Sequence, residues 1–273
     1  MVGAGSVRFR CEHTFAMHRA SVRQQVLDLV ADGLNDCEVS RRTGVPRSTV
    51  REMRIAATQP GGARSLSRAS ACPRCWQPSR RIDPRASDYA ELLGLYLGDG
   101  HINKTARTYR LRLFLDSSYP VVLDQAQSVI DRVFPENRVG RQLMYGGSMT
   151  ILDVHSRHLP CLFPQHGAGL KHTREILLES WQSAIAARHP WPLIRGLIRS
   201  DGCSFLNRTG PYRYLSFYFS NRSDGVAQVF DDACEAAGLA PRCNRNVRRG
   251  LWEFRINRRA DVAALRQHVG VKA

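Results

Sequence analysis

Apolar positions along the chain follow two different periods, and the change from one to the other divides it. Residues 1–19 follow neither period and read as an unstructured or mis-annotated start, with Met17 standing just ahead of the first patterned segment. In "SVRQQVLDLVADG", Val22, Val26, Leu29 and Val30 recur at helical spacing up to a stop at Gly33. "DCEVSRRTG" reads as a short second helix ending at Gly44. "VPRSTVREMRIAA" reads as a third, with Pro46 near its first turn. Helix, short helix, glycine turn and helix over residues 20–58 form either a helix-turn-helix or an ordinary three-helix unit with a basic face. In the first reading, Arg47, Ser48, Thr49 and Arg51 stand at the end of the recognition helix that enters the major groove. Residues 59–86, rich in Gly, Pro, Ser and Arg, read as a linker.

From residue 87 the period alternates between helical and two. Leu111, Leu113 and Leu115 alternate with Arg110, Arg112 and Phe114; Leu215, Phe217 and Phe219 alternate with Tyr214, Ser216 and Tyr218. These segments belong to a repeat. Asp99 and Asp201 are 102 positions apart (201 − 99), and the same offset lays "TILDV" (150–154) on "WEFRI" (252–256). "QHGAGLK" falls on "QHVGVK" with one residue deleted, and "TYRLRLFLDSS" matches "YRYLSFYFSNR" after a further shift of two. Each copy, 87–188 and 189–273, therefore reads helix, strand pair, helix, strand pair, short helix, with hairpin turns at "YGGS" and "RRGL". The fold class is α+β: a duplicated αββαββα unit with pseudo-twofold symmetry, preceded by a small all-α domain. Each sheet has one apolar face for helices to cover and one open, polar, basic face.

Charge decides what the open faces meet. Lys and Arg number 40 against 24 Asp and Glu, a formal +16. That excess points to a polyanion, nucleic acid first and an anionic membrane surface second. No apolar run is long enough for a transmembrane helix. With no export signal, the expected location is the cytoplasm, and the scattered cysteines are expected as thiols. Cys72 and Cys75 form a CxxC in the linker, either half of a zinc site or an exposed thiol pair, since a structural site needs about four ligands. Two groove-width sheets in one chain suit duplex DNA, and make a monomer sufficient. Arg110, Arg112 and Tyr214 are candidates on the strands. Arg138, Arg141, Arg242, Arg245, Arg248 and Arg249 are candidates for phosphate contact.

"ELLGLYLGDG" and "WPLIRGLIRSDG" pose a separate question. Gly94 and Gly98, and Gly196 and Ser200, are four apart, so each helix carries a groove of small residues through which the two backbones can approach. Gly100 and Gly202 suit a left-handed helix cap. Asp99 and Asp201 would then emerge together at two helix C-termini, each opposed by its helix dipole by roughly 0.3–1 kcal/mol. Either each caps a turn, or the pair holds cations. Hard divalent ions take carboxylate and carbonyl oxygens and bind phosphates at the same time.

On these residues, 87–273 resembles the LAGLIDADG homing endonuclease family in its single-chain, two-motif form. The resemblance implies signature helices at the domain interface and saddle-shaped sheets on double-stranded DNA. It implies Asp99 and Asp201 as Mg²⁺ ligands, with the Gly98 and Ser200 carbonyls contributing. Lys171 and Lys272 match the family's basic residue near the scissile phosphates. Leu97 and Arg199 replace an earlier acid of the consensus. Regulators that join such a scaffold to a helix-turn-helix have generally lost the acids; this chain keeps both. Two functions follow as expectations: a site-specific, Mg²⁺-dependent DNA endonuclease, or a DNA-binding transcriptional regulator with little or no nuclease activity.

Overall fold

A computed structural model describes residues 20–58 and 82–272. Cys72 and Cys75, and the question of the start at Met17, lie outside the described residues.

The amino-terminal unit consists of α1 (Ala20–Ala31), α2 (Asp36–Thr43) and α3 (Arg47–Thr58). Asn35 starts α2 by accepting the backbone N–H groups of Cys37 and Glu38 at 3.1 and 3.0 Å. Gly44 stops it in the left-handed region, φ +70°, where a side chain would be strained. Pro46 sits just before α3, its carbonyl accepting from Val50 N at 3.0 Å. Val26, Val39, Val45 and Val50 are fully buried, with Val22, Leu29, Val30, Leu34 and Met53 packed around them. Four small β-branched residues give a core of its own to three short helices.

The second unit opens with Ile82, which is buried. Its first copy runs α4 (Ala86–Asp99), β1 (Gly100–Lys104), β2 (Tyr109–Asp116), α5 (Pro120–Val133), β3 (Val139–Met144), β4 (Met149–Ser156) and the single turn α6 (Leu159–Leu162). A connecting helix, α7 (Ser180–Arg188), leads to the second copy. That copy runs α8 (Pro190–Asp201), β5 (Gly202–Thr209), β6 (Tyr212–Asn221), α9 (Asp224–Ala236), β7 (Arg242–Asn246), β8 (Leu251–Ile256) and α10 (Arg259–His268). The sheets are antiparallel, ordered β1-β2-β4-β3 and β5-β6-β8-β7. The duplicated αββαββα order is thus the observed one.

The strand alternation sorts as its period requires. Leu111, Leu113, Leu152 and Val154 in one sheet, and Phe217, Phe219, Phe254 and Ile256 in the other, are buried beneath helices. α5 covers the first sheet with Val122, Leu123, Ala126, Val129, Ile130 and Val133, and α9 the second with Val226, Ala227, Phe230, Ala233 and Cys234. Both copies share one continuous core. The "YGGS" segment makes the β3–β4 hairpin and residues 247–250 the β7–β8 turn.

The alignment of β2 with β6 needs correction. Leu111 lies opposite Val154, and Phe217 opposite Ile256, the residue 102 positions after Val154. Leu111 and Phe217 are therefore counterparts, four residues beyond the 102 offset rather than two. The extra residues lengthen the β5–β6 hairpin, in which β5 has 8 residues against 5 in β1. A period of two is unchanged by a shift of two, so the alternation alone could not tell these registers apart.

Candidate functional site

α4 and α8 cross at two glycines. A Cβ added to Gly94 would come 2.5 Å from Leu193 O and 2.8 Å from Leu197 N. One added to Gly196 would overlap Glu91 O and lie 3.0 Å from Gly94 Cα. One step further along, Gly98 faces Ser200, and a Gly98 Cβ would stand 3.1 Å from Asp201 Oδ2. Small residues at i and i+4 therefore do what steric reasoning expects: two backbones meet, and Asp99 and Asp201 come out together at one end of the seam.

Gly100 and Gly202 play a different part from the left-handed cap expected of them. Both are extended, with φ −87° and −113°, and each is the first residue of a strand. Glycine is needed for space as the chain turns from helix into sheet. A Cβ at Gly100 would meet Tyr96 Cα at 2.5 Å, and one at Gly202 would meet Ile198 Cα at 2.7 Å.

The helix ends are capped instead by lysines from distant sequence. Lys171 Nζ donates to Tyr96 O at 2.7 Å, to Leu97 O at 2.9 Å and to Gly98 O, all at the end of α4. Lys272 Nζ donates to Ser200 O and Gly202 O, both at 3.2 Å, at the end of α8. A cation on the last carbonyls offsets the negative end of the helix dipole. The two ammonium groups thus answer the electrostatic objection to placing carboxylates there.

The two carboxylates are nonetheless unequal. Burial, and then the neighbouring Asp201 charge, push the Asp99 carboxyl up to about 7, with Lys272 and Lys171 pulling against them. Asp201 is also raised by burial, against the pull of Lys171 and of a 2.6 Å hydrogen bond from Asn221 Nδ2. Among the described residues none donates such a bond to Asp99. Burial brings Lys171 down to about 8, although both aspartates hold its proton. Asn221 was not foreseen: by strand register its counterpart is the apolar Leu115, so the repeat carries no signal for it.

An ion-pair triad around one buried carboxylate ties the copies together. Glu91 of α4, 4% exposed, accepts from Arg195 at 2.8 Å and from Arg199 at 2.9 Å, both on α8. Arg195 also bonds His268 O at 2.8 Å and Arg199 bonds Val269 O at 3.1 Å, which anchors the segment that carries Lys272.

The sheets' other faces are open and polar. His101 lies opposite Arg112 and Asn103 opposite Arg110, and Tyr218 lies opposite Arg255. Arg110 is held by Asp153 at 2.9 Å, while the Arg112 Nε is buried with no hydrogen-bond partner. Tyr214 is exposed, as is Arg248 in the β7–β8 turn. Arg141 and Arg245 stand elsewhere. They sit opposite Leu152 and Trp252, on the helix side of the sheet edges, paired with Asp124 at 3.0 Å and Asp224 at 2.8 Å. On α3, Arg47 and Arg51 are exposed and Thr49 is half-buried; Ser48 lies in the first turn of the same helix.

Residues 17–59 match the family model described as a homeodomain-like domain. No curated protein sequence matches the chain. Among solved structures the chain is similar to variants of the homing endonuclease I-DmoI, with TM-score 0.46, 17% identity, and 67% of this chain and 90% of that chain covered. It is similar to I-DmoI in complex with DNA and Ca, with TM-score 0.45, 18% identity and coverage of 67% and 89%. It is also similar to the N-terminal LAGLIDADG domain of DUF199/WhiA, with TM-score 0.43, 12% identity and coverage of 69% and 83%.

Proposed function

We propose that the chain binds double-stranded DNA through its helix-turn-helix and the open faces of its two sheets, and hydrolyses phosphodiester bonds at the seam with a divalent metal, Mg²⁺. One observation carries this reading: Asp99 and Asp201 converge at the paired ends of α4 and α8, next to two polar sheet faces in a chain of net charge +16. The donor chemistry fits a hard cation. Two carboxylates stand close enough for one to raise the other's pKa, and the Gly98 and Ser200 carbonyls lie at the same helix ends. These four groups would hold the metal, which when bound supplies Lewis-acid stabilisation of phosphate oxygens.

The chain's own residues set the conditions. Protonated Asp99 competes with a cation, so affinity rises with pH to about 7 and then levels off. Lys171 and Lys272 bring positive charge to the place where a scissile phosphate would carry its developing negative charge. Because a carbonyl has two lone pairs, a lysine at Gly98 O does not exclude a second partner. Arg112, Arg248 and Tyr214 serve DNA contact on the saddle, with Arg110 a weaker candidate because Asp153 already holds it. Arg47, Ser48, Thr49 and Arg51 serve it on α3. Arg141 and Arg245, on the helix side of the sheet edges and already paired with Asp124 and Asp224, are the weakest candidates for phosphate contact. The chain acts as a monomer, each copy supplying half of the site, in the cytoplasm.

A second reading rests on the same lysines. Two aspartates facing two ammonium groups are already neutralised without a metal, which suits a DNA-binding regulator that does not cut. Incubation of the protein with a random-sequence plasmid library in Mg²⁺ or Mn²⁺, followed by end sequencing, separates the two. Reproducible ends that vanish in Asp99→Asn and Asp201→Asn proteins support cleavage. Salt-sensitive duplex binding with no ends in either metal supports the regulator.

A further inference from the structure

The pseudo-twofold axis relates two flanks of the helix seam, and the described residues fill only one of them. On the filled flank, α7 packs against α4, α8 and α9. Its Gln182 bonds the Tyr89 hydroxyl at 2.7 Å and meets Gln165 at 2.5 Å, and Gln165 bonds Leu177 O at 2.7 Å. The symmetry exchanges α4 with α8 and α5 with α9, so the related flank is bounded by α8, α4 and α5. Among the described residues no counterpart of α7 lies there. A cavity of about 500 Å³ opens instead, walled by Glu91, Arg132, Arg195, Arg199, Arg266 and Gln267 among others. Gln165 is buried beneath its partners, whereas its counterpart Gln267 is exposed.

The chemistry of the walls differs between the two flanks. The counterparts of Glu91, Arg195 and Arg199 at the 102 offset are Leu193, Leu93 and Leu97, all fully buried. The flank that receives a helix has leucines where the open flank has charges; the open flank carries four guanidinium groups. Arg195 and Arg199 share one carboxylate, and Arg132 pairs with Asp88 at 2.8 Å. Arg266 has no ion-pair partner among the described residues. An apolar helix laid here would strip water from these charges. The chain's own segment 59–81 has five arginines (Arg64, Arg68, Arg74, Arg80 and Arg81) and no acid, the same sign of charge as the excess on these walls.

We propose that this cavity binds a small phosphate-bearing anion of about nucleotide size. Guanidinium forks match phosphate oxygens in geometry and charge, and the volume is that of small-ligand sites. The cavity lies on the helix layer, bordered by Gln125 and Ser128 of α5, and so on the far side of the sheet from its open face. Arg195 and Arg199 hold the His268 and Val269 carbonyls, a few residues before Lys272, so an anion that draws on these arginines bears on the lysine at the tip of α8.

Calorimetry on the full chain tests this with inorganic pyrophosphate and ATP as separate probes, with and without a saturating duplex. At least one probe is expected to bind one-to-one, and to stay bound when the duplex is present, because the two sites are separate even where each shifts the other's affinity. Arg266→Glu, at an exposed position with no ion pair, should weaken binding at least tenfold, and Gln267→Trp, which fills the cavity, should do the same. Pyrophosphate binding as well as ATP identifies the phosphate group as the recognised part; ATP alone adds the nucleoside. The proposal is overturned if neither probe binds, if both variants bind like wild type, or if the duplex displaces the probe, which would put it on the sheets. Binding of an acidic peptide in place of both probes also overturns it.

Discussion

Asp99 and Asp201 occupy equivalent positions on equivalent helices, yet their surroundings differ. Lys171 caps α4 through three carbonyls, whereas Lys272 reaches two at the end of α8, both at 3.2 Å. Asn221 donates to Asp201, and the matching strand position in the first copy is Leu115. Burial, and then the Asp201 charge, hold the Asp99 carboxyl at about 7, whereas Lys171 and the Asn221 bond oppose the rise that burial imposes on Asp201. Duplication preserved what backbone geometry demands, namely the glycine crossing and the helix-to-strand turn. Side chains that only tune charge were free to diverge. A site built from two copies is symmetric in shape and asymmetric in electrostatics.

The largest expected effect breaks the shared geometry. Gly196→Val places a side chain on Glu91 O and Leu95 N, and should lower stability by more than about 4 kcal/mol in chemical denaturation, or prevent folding. Ser200→Gly, which only removes atoms at the same seam, should stay within about 1 kcal/mol of wild type. Equal behaviour of the two variants would mean that the backbones do not meet there.

Next come the carboxylates. Asp99→Asn and Asp201→Asn should each lower the proposed cleavage by roughly a hundredfold or more while duplex affinity holds, since loss of even an outer partner of a metal site costs about 10–100-fold and these would be its direct ligands. A large loss in only one of them would make the asymmetry functional.

The caps come third. Lys171→Met should cost about 1–2 kcal/mol of stability and slow cutting, and Lys272→Met less, as the contact geometry ranks them. Thermal denaturation of the two variants side by side tests the order. Equal loss of binding and cutting in the Lys171 variant would mean that it only holds a phosphate.

The smallest effect is in pH dependence. A carboxyl whose folded pKa is raised takes up its proton in the folded state first. Its contribution to stability is therefore present near pH 4 and is lost as pH rises toward 7. Asp99→Asn should flatten that part of the pH–Tm curve relative to wild type. Asn221→Leu should steepen it, by freeing Asp201 to rise as Asp99 does. Carbon-13 NMR titration of the carboxyl groups gives the same comparison directly, and Asp201 titrating unchanged in Asn221→Leu would remove the asymmetry argument.

Much of the fold was open to reading because it depends on local periods. The alternation of Leu111, Leu113 and Leu115 and the 3.6-residue spacing of Val22, Val26, Leu29 and Val30 mark buried faces whatever they pack against. Four-residue spacing of small side chains marks a face where backbones can approach, and Gly94, Gly98 and Gly196 meet across it. The rest escaped for identifiable reasons. The β2–β6 register was degenerate because a shift of two returns each side chain to its own face. Position alone fits the glycines after Asp99 and Asp201 to a positive-φ cap, whereas what requires them is the nearness of Tyr96 and Ile198, one helical turn back.

The amino-acid order by itself determined the duplication, the element types, the inward faces and the pairing of two acidic helix tips, since each follows from spacing along the chain and the sizes of side chains. Only the tertiary structure decided what those tips experience. Lysines more than seventy residues away cap the helices, Asn221 favours one aspartate, Glu91 binds two arginines across the seam, and among the described residues one flank is filled while the other stands open. Burial and Coulomb interaction depend on distance in space, and spacing along the chain does not encode that distance once the backbone has folded back on itself.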